Sequence, residues 1–315
     1  MYFVVIKQLS VMALIALIGF TVSKIFKFGK TEQNFLSKLL LYVINPCLIL
    51  KTFDVSFTQE RLKELFAIIA ISFLAHFLLM LIALIFCNSK TPEGKSLDGI
   101  DKLSVVFTNC AFIGIPLING VFGSGGAFYL MGYIAVFNIT LWTFGYYMVC
   151  GKMQPLKVIT NPNVLAVILG IILFCLPINL PDIISIPLGF IGDMNTATSM
   201  LLLGLLFANF KRGETPFNTY ILRVIKVSVL RLVVSAVVMF FVALLSIKIF
   251  SGLENIRLMS YVVYIAALCP VGMSVSSFAV VFNKDESYAS LNVACTSALC
   301  ILTLPLSVAI AEKFF

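Results

Sequence analysis

The stretch NCAFIGIPLING, residues 109–120, holds residue types and spacings that could do chemistry inside an otherwise apolar run. Asn109 carries an amide that can both donate and accept. Gly114 permits unusual dihedrals, and Pro116 removes a backbone donor and clashes with the turn before it. A helix broken at this point exposes free N–H groups. Together with the positive end of the helix dipole, such groups can hold an anion with no lysine or arginine. A second stretch, ALCPVGMSVSSF at 267–278, repeats the arrangement with Pro270 and Gly272, followed by Ser274, Ser276 and Ser277. The second half-helices are expected to start near Leu117 and Met273. The chemistry foreseen is the binding of a small carboxylate by backbone donors, oriented by Asn109. Two plain uses of the same residues stand beside it: an interhelical hydrogen bond from Asn109, and proline kinks inside a helix bundle.

The elements that must position these residues follow from composition. The chain has 315 residues, 61% hydrophobic and 11% charged, with mean hydropathy +1.08. Soluble domains have about 45–50% apolar and about 25% charged residues. This is an integral membrane protein built of helices of about 20 apolar residues. Ten segments qualify, near 8–28, 34–53, 65–87, 103–122, 127–150, 163–179, 187–210, 219–247, 257–282 and 288–311. Non-helical backbone at membrane depth survives only where protein or a watery cavity covers it. Paired interrupted spans at matching positions of two halves point to a transporter site.

The net charge of +8 carries no clustered, aromatic-interleaved pattern for nucleic acid. It divides by the positive-inside rule instead. Seven Lys and Arg fall on the side of the N-terminus and fifteen on the other, Lys211, Arg212 and Arg231 among them. Both termini are therefore expected outside the cell membrane. The segment after Lys7 reads as a first span rather than a cleaved signal, since no small-residue cleavage site follows it. Eight cysteines lie in or beside apolar segments with no CxxC pair, so they read as small buried hydrophobes and not as metal ligands or disulfides.

Five spans precede the loop at 150–163 and five follow it. Five is odd, so residues 151–315 are expected to repeat residues 1–150 upside down. LIGF at 17–20 aligns with ILGI at 168–171, NPCLILKTF at 45–53 with ATSMLLLGL at 197–205, and the Pro116 segment with the Pro270 segment.

At these residues the sequence resembles the auxin efflux carrier family, in its bacterial permease branch. The similar pieces are NPCLILKTF, NCAFIGIPLINGVFG, NPNVLAVILGI, GFIGDMNTATSMLLLGLLFA and the run AALCPVGMSVSSFAVVFNKDESYASLNVACTSALCILTLPL, in order along nearly the whole chain. One departure is ATSM at 197–200, with Thr198 where the first half has Pro46. The resemblance implies two inverted five-helix repeats, as in sodium/proton antiporters and bile-acid symporters, with spans four and nine broken and crossing. It implies elevator-type alternating access and small organic anions as substrates, auxin-like indole acids or carboxylates such as malate. By the same resemblance, Asn45 and Asn195 complete the pocket of Asn109, Gly114, Pro116, Leu117, Pro270, Met273, Ser274 and Ser277.

Asp193 has two readings, a proton- or sodium-coupling acid and a helix N-cap at the interface, of which the cap is preferred. His76, the single histidine, reads as a satisfied bundle residue. HExxH, GxSxG and GxxxxGK[ST] are absent, so neither a hydrolytic enzyme nor an ATPase is indicated. The competing classes are a membrane receptor or channel and an intramembrane enzyme. No cofactor is indicated, the coupling ion is open, and a homodimer stays open as a partner arrangement.

Overall fold

The computed structural model describes residues 2–151, 160–176, 180–209 and 217–315. Among these residues the chain is helical throughout, apart from one isolated antiparallel bridge between Thr108 and Val271. Lys211 and Arg212, counted among the fifteen basic residues of the side away from the termini, lie outside the described residues, as does most of the loop at 150–163.

Helix α1 (Tyr2–Phe26) is followed by a rod made of α2 (Lys30–Leu39), a π turn (Leu40–Ile44) and α3 (Asn45–Phe53). Pro46 cannot donate to the turn before it. The chain answers by widening, and the Asn45 N–H reaches back five residues to Leu40 O. Helix α4 (Gln59–Phe86) starts at Thr58, whose hydroxyl accepts from the Arg61 amide. Helix α5 (Pro92–Val106) starts in the same way at Thr91. The helix then stops over Phe107–Asn109 and resumes as a π turn (Cys110–Gly114) and α6 (Ile115–Thr140). At Gly123 the chain turns sharply, with φ 64° and ψ −155°, a conformation only glycine adopts without strain. A further π turn (Leu141–Gly145) and α7 (Tyr146–Cys150) complete that arm.

Helix α8 (Pro162–Cys175) is capped by Asn161, whose Oδ1 accepts from the amides of Asn163 and Val164. Helix α9 (Asp182–Ala208) runs unbroken past Thr198. Then come α10 (Phe217–Val229), a π turn (Leu230–Val234) and α11 (Ser235–Ile249), followed by α12 (Ile256–Leu268), α13 (Met273–Val281) and α14 (Glu286–Ala311).

Seven stretches among the described residues are long and apolar enough to cross a membrane; the longest, Cys110–Cys150, has 41 residues and contains the Gly123 turn. Pro162–Cys175 and Ile256–Leu268 are apolar but shorter. The outside of the bundle carries large apolar side chains such as Phe3, Leu14, Phe66, Ile85, Leu222 and Leu302. So many suit hydrocarbon rather than water. Helix α1 packs along α9, and α3 packs against α8 and α9; α4 and α12 enclose α6.

Three expectations change. The first interruption lies at Phe107–Asn109, ahead of Cys110, and not at Pro116. Its second half-helix therefore begins at Cys110 rather than near Leu117, because the π turn absorbs the proline one turn inside the helix. Asp193 sits deep within α9 with its side chain exposed, so it is not an N-cap; that position is held by Pro181. The cysteines are free, but Cys175 is exposed rather than buried.

Candidate functional site

The two interruptions meet. Val105, Val106, Phe107 and Thr108 are β-branched or aromatic, poor at continuing a helix and good at extended backbone. In the other segment Pro270 forces the residue before it away from the helical region, and Cys269 has φ −55° and ψ 151°. The two extended pieces run antiparallel. The Asn109 N–H donates to Pro270 O at 2.8 Å, and the Gly272 N–H donates to Phe107 O at 2.9 Å. A Cβ at Gly272 would come within 2.7 Å of Thr108 O, so the close approach requires glycine there. The Val271 N–H donates to Thr296 Oγ1 at 3.1 Å.

The crossing has two faces. On one, α5 and α12 present their C-terminal carbonyls to Arg231, which is fully buried. Its Nη1 donates to Val105 O at 2.8 Å, its Nε to Cys269 O at 3.1 Å, and its Nη2 to Ala267 O. On the other face, the first turns of the Cys110 and Met273 half-helices border a cavity of about 200 Å³. The opening amides of any helix have no acceptor within it.

The cavity reaches from Thr108 and Asn109 at the crossing to Ser37, Asn161 and Phe282 near the helix ends. No charged side chain lines it among the described residues. Four of its lining residues keep a buried polar atom without a protein partner: Thr108 Oγ1, Asn109 Nδ2, Asn163 Oδ1 and Ser274 Oγ. Each such atom left alone costs about 1–3 kcal/mol, so the set calls for a polar occupant. Between them stand aromatic rings; Trp142 and Phe278 lie 5.2 Å apart, centroid to centroid. The lining thus combines a donor amide, two hydroxyls and one acceptor with flat apolar walls, which matches a small molecule with a polar head and an apolar body.

Of the residues singled out in the sequence, Asn45, Asn109, Met273, Ser274 and Ser277 line this cavity. Asn195 stands behind it, donating through Nδ2 to Asn45 Oδ1 at 2.7 Å. Gly114, Pro116, Leu117 and Pro270 are buried nearby without lining it. Pro116 has no N–H to offer the Phe112 carbonyl one turn back, and the Ser199 hydroxyl, with one proton to donate, lies 3.2 Å from that oxygen and 3.1 Å from Thr196 O. Gln8 Nε2 donates to Pro116 O at 3.2 Å. Ser276 faces a different cleft, and Asp193 lines no cavity described. His76 is only half satisfied: Nδ1 pairs with Ser72 O at 2.8 Å, while Nε2 is buried without a partner.

Sequence reasoning missed Arg231, Asn163 and the aromatic walls. Arg231 had a readable signal, since it stands inside the apolar run LRLVVSAVVMFF. An ionisable residue at such a position is a functional hypothesis by default. A larger cleft of about 370 Å³, between α1, α9 and α14, is almost wholly apolar and offers only Ser297 as a polar group.

Apolar helices, an interior crossing of interrupted backbone and an uncharged polar cavity against it define a multi-pass membrane protein with a candidate small-molecule site. A family profile described as membrane transport protein matches residues 4–158 and again 149–308. The chain belongs to that family, which contains the auxin efflux carriers and is a family of transporters rather than enzymes. A comparison with curated proteins finds no match.

Proposed function

We propose that this protein is a secondary transporter of small organic anions, auxin-like indole acids or carboxylates such as malate, working by elevator-type alternating access. The observation that carries the reading is the cavity at the crossing. Two helix N-termini border it, four unpaired polar atoms line it, and among the described residues no charged side chain in its lining competes with a bound carboxylate. Asn109 Nδ2 and Ser274 Oγ serve as donors to the carboxylate, with the half-helix amides behind them. The aromatic walls take the body of the substrate.

In this reading the chain makes ten crossings as two inverted five-helix repeats, 1–150 and 151–315. The Gly123 turn separates the fourth crossing from the fifth, and the interrupted fourth and ninth share the crossing point. Both termini face outward across the cell membrane. With that orientation, the cavity lining at Ser37, Asn161 and Phe282 lies toward the cytoplasm. Asp193 remains the candidate for coupling to protons or sodium. Cysteine labelling tests the orientation: position 90 should be shielded from an outside reagent and position 57 open to it.

Flux of labelled indole acids, monocarboxylates and dicarboxylates into proteoliposomes tests the function. Saturable uptake with counterflow is expected for at least one of these classes. Flux without saturation or counterflow would make the protein a channel. No flux of any class would return the field to a receptor or an enzyme.

A further inference from the structure

Arg231 lies on the π turn Leu230–Val234 with no exposed surface. The ion pairs among the described residues lie elsewhere, at Lys30–Glu286, Lys51–Asp54 and Arg223 with Asp98 and Asp101. An isolated buried charge is costly unless something offsets it. Here the offset comes from backbone. Val105 lies in the last turn of α5, and Ala267 and Cys269 end α12, and all three carbonyls accept from the guanidinium. A helix C-terminus carries about −0.5 of a charge, so the two together match about one arginine. The opposite ends tell the other half. The half-helices starting at Cys110 and Met273 each place about +0.5 at the cavity, with no carboxylate among the described residues lining it to cancel them. Without Arg231 the four ends of the crossing would sum to about zero; with it they sum to about +1.

We infer that Arg231 sets the charge selectivity of the cavity. By cancelling the two negative helix ends, it leaves the crossing with the charge that a single carboxylate neutralises. The cavity then takes monoanions ahead of their neutral isosteres and ahead of dianions, whose second charge finds no partner there; of the substrates proposed above, indole acids therefore come ahead of malate, a dianion at neutral pH. Arg231 does not line the cavity, so it is a positioning residue that acts through the crossing. This inference rests on the reading of the cavity as an organic-anion site.

The test uses the full chain purified in detergent, with indole-3-acetate and indole-3-acetamide as matched charged and neutral probes at neutral pH. Wild type should bind the acetate at least about tenfold more tightly than the amide, the scale of a hydrogen bond to a charged group. Arg231→Lys keeps the charge with fewer donors and should keep most of that ratio even if it melts earlier. Arg231→Gln keeps some hydrogen bonding without charge and should bring the ratio close to one, with amide affinity little changed. A purely structural role predicts that both probes weaken together in both variants, in step with melting temperature, and that result overturns the inference. So does a glutamine variant that keeps the wild-type ratio. Wild type that binds neither probe, nor any carboxylate in the flux assay, overturns the anion-site reading itself. A second measurement needs no variant. Wild type should prefer monomethyl succinate to succinate several-fold, and equal or tighter binding of the dianion overturns the inference.

Discussion

On one face of the crossing the carbonyls of Val105, Ala267 and Cys269 all end on Arg231. On the other, Asn109 Nδ2, Thr108 Oγ1 and Ser274 Oγ end on no protein atom. Both faces are made by the same two interruptions and both are buried. An unpaired buried polar atom costs about 1–3 kcal/mol wherever it sits, so burial alone cannot account for the contrast. One face has its partners built in from the same chain; the other lacks them and adjoins a cavity. The first face is architecture. The second is where a molecule from outside would complete the hydrogen bonding.

The widest break in that contrast comes from Gly272→Leu. Its side chain would press on Thr108 O and part the two extended segments, so both faces should fail together. A stability loss of about 2–3 kcal/mol is expected, the upper scale for overpacking, along with loss of transport. Thermal melting and flux on one preparation check it; unchanged melting would mean that the segments can separate freely. Asn109→Ala touches the unpaired face alone. It should weaken substrate binding by roughly 1.5–3 kcal/mol and leave the melting temperature nearly unchanged, because its Nδ2 has no protein partner to lose. Equal losses of binding and stability would make Asn109 an architectural residue.

Ser199→Ala is milder and touches a partnered group beside the cavity, the carbonyl of Phe112. It removes one hydroxyl proton shared between Phe112 O and Thr196 O and should cost about 1 kcal/mol of stability at most, with little effect on affinity. A loss of affinity larger than the loss of stability would place Ser199 in binding instead.

The smallest effect lies far from the crossing, where Asp54 joins α3 to α9. Burial raises its pKa, but bonds from Ser185, Lys51 and the Leu180 amide outweigh this and leave it below the ordinary carboxylate value. A lowered folded-state pKa contributes stability that is present above the unfolded value and disappears as pH falls through the folded one. Asp54→Asn should therefore flatten the acid limb of the melting curve by less than about 1 kcal/mol. An unaltered acid limb would leave that clasp without weight.

The sequence made the crossing legible in part. Asn109 and the Pro270 segment stood out because polar and helix-breaking residues are conspicuous in apolar runs, and Met273 does begin a half-helix. The first interruption was misplaced because Pro116 looks like a break in one dimension, while a π turn lets a helix carry it. Asp193 was read as a cap since the start of α9 was set too late; the helix opens at Asp182. Arg231 was legible as a charge inside an apolar run but was passed over. Counted with the basic residues of one side, it passed for a topology signal, and only three-dimensional structure shows three carbonyls from distant helices meeting it. Asn163 lines the cavity from the start of α8, a contact that local pattern does not encode.

The bridge between the two interruptions also bears on how the chain is made. Val105 O, Phe107 O and the Asn109 N–H find their partners in Arg231, Gly272 and Pro270, all far later in the sequence. During synthesis the first interruption emerges long before any of these residues exists. Left in lipid, its open backbone would be costly at every unpaired group. Residues 92–122 must therefore wait near water or beside the insertion machinery until the later segment arrives, and the first half, made alone, would be a poor resident of the bilayer.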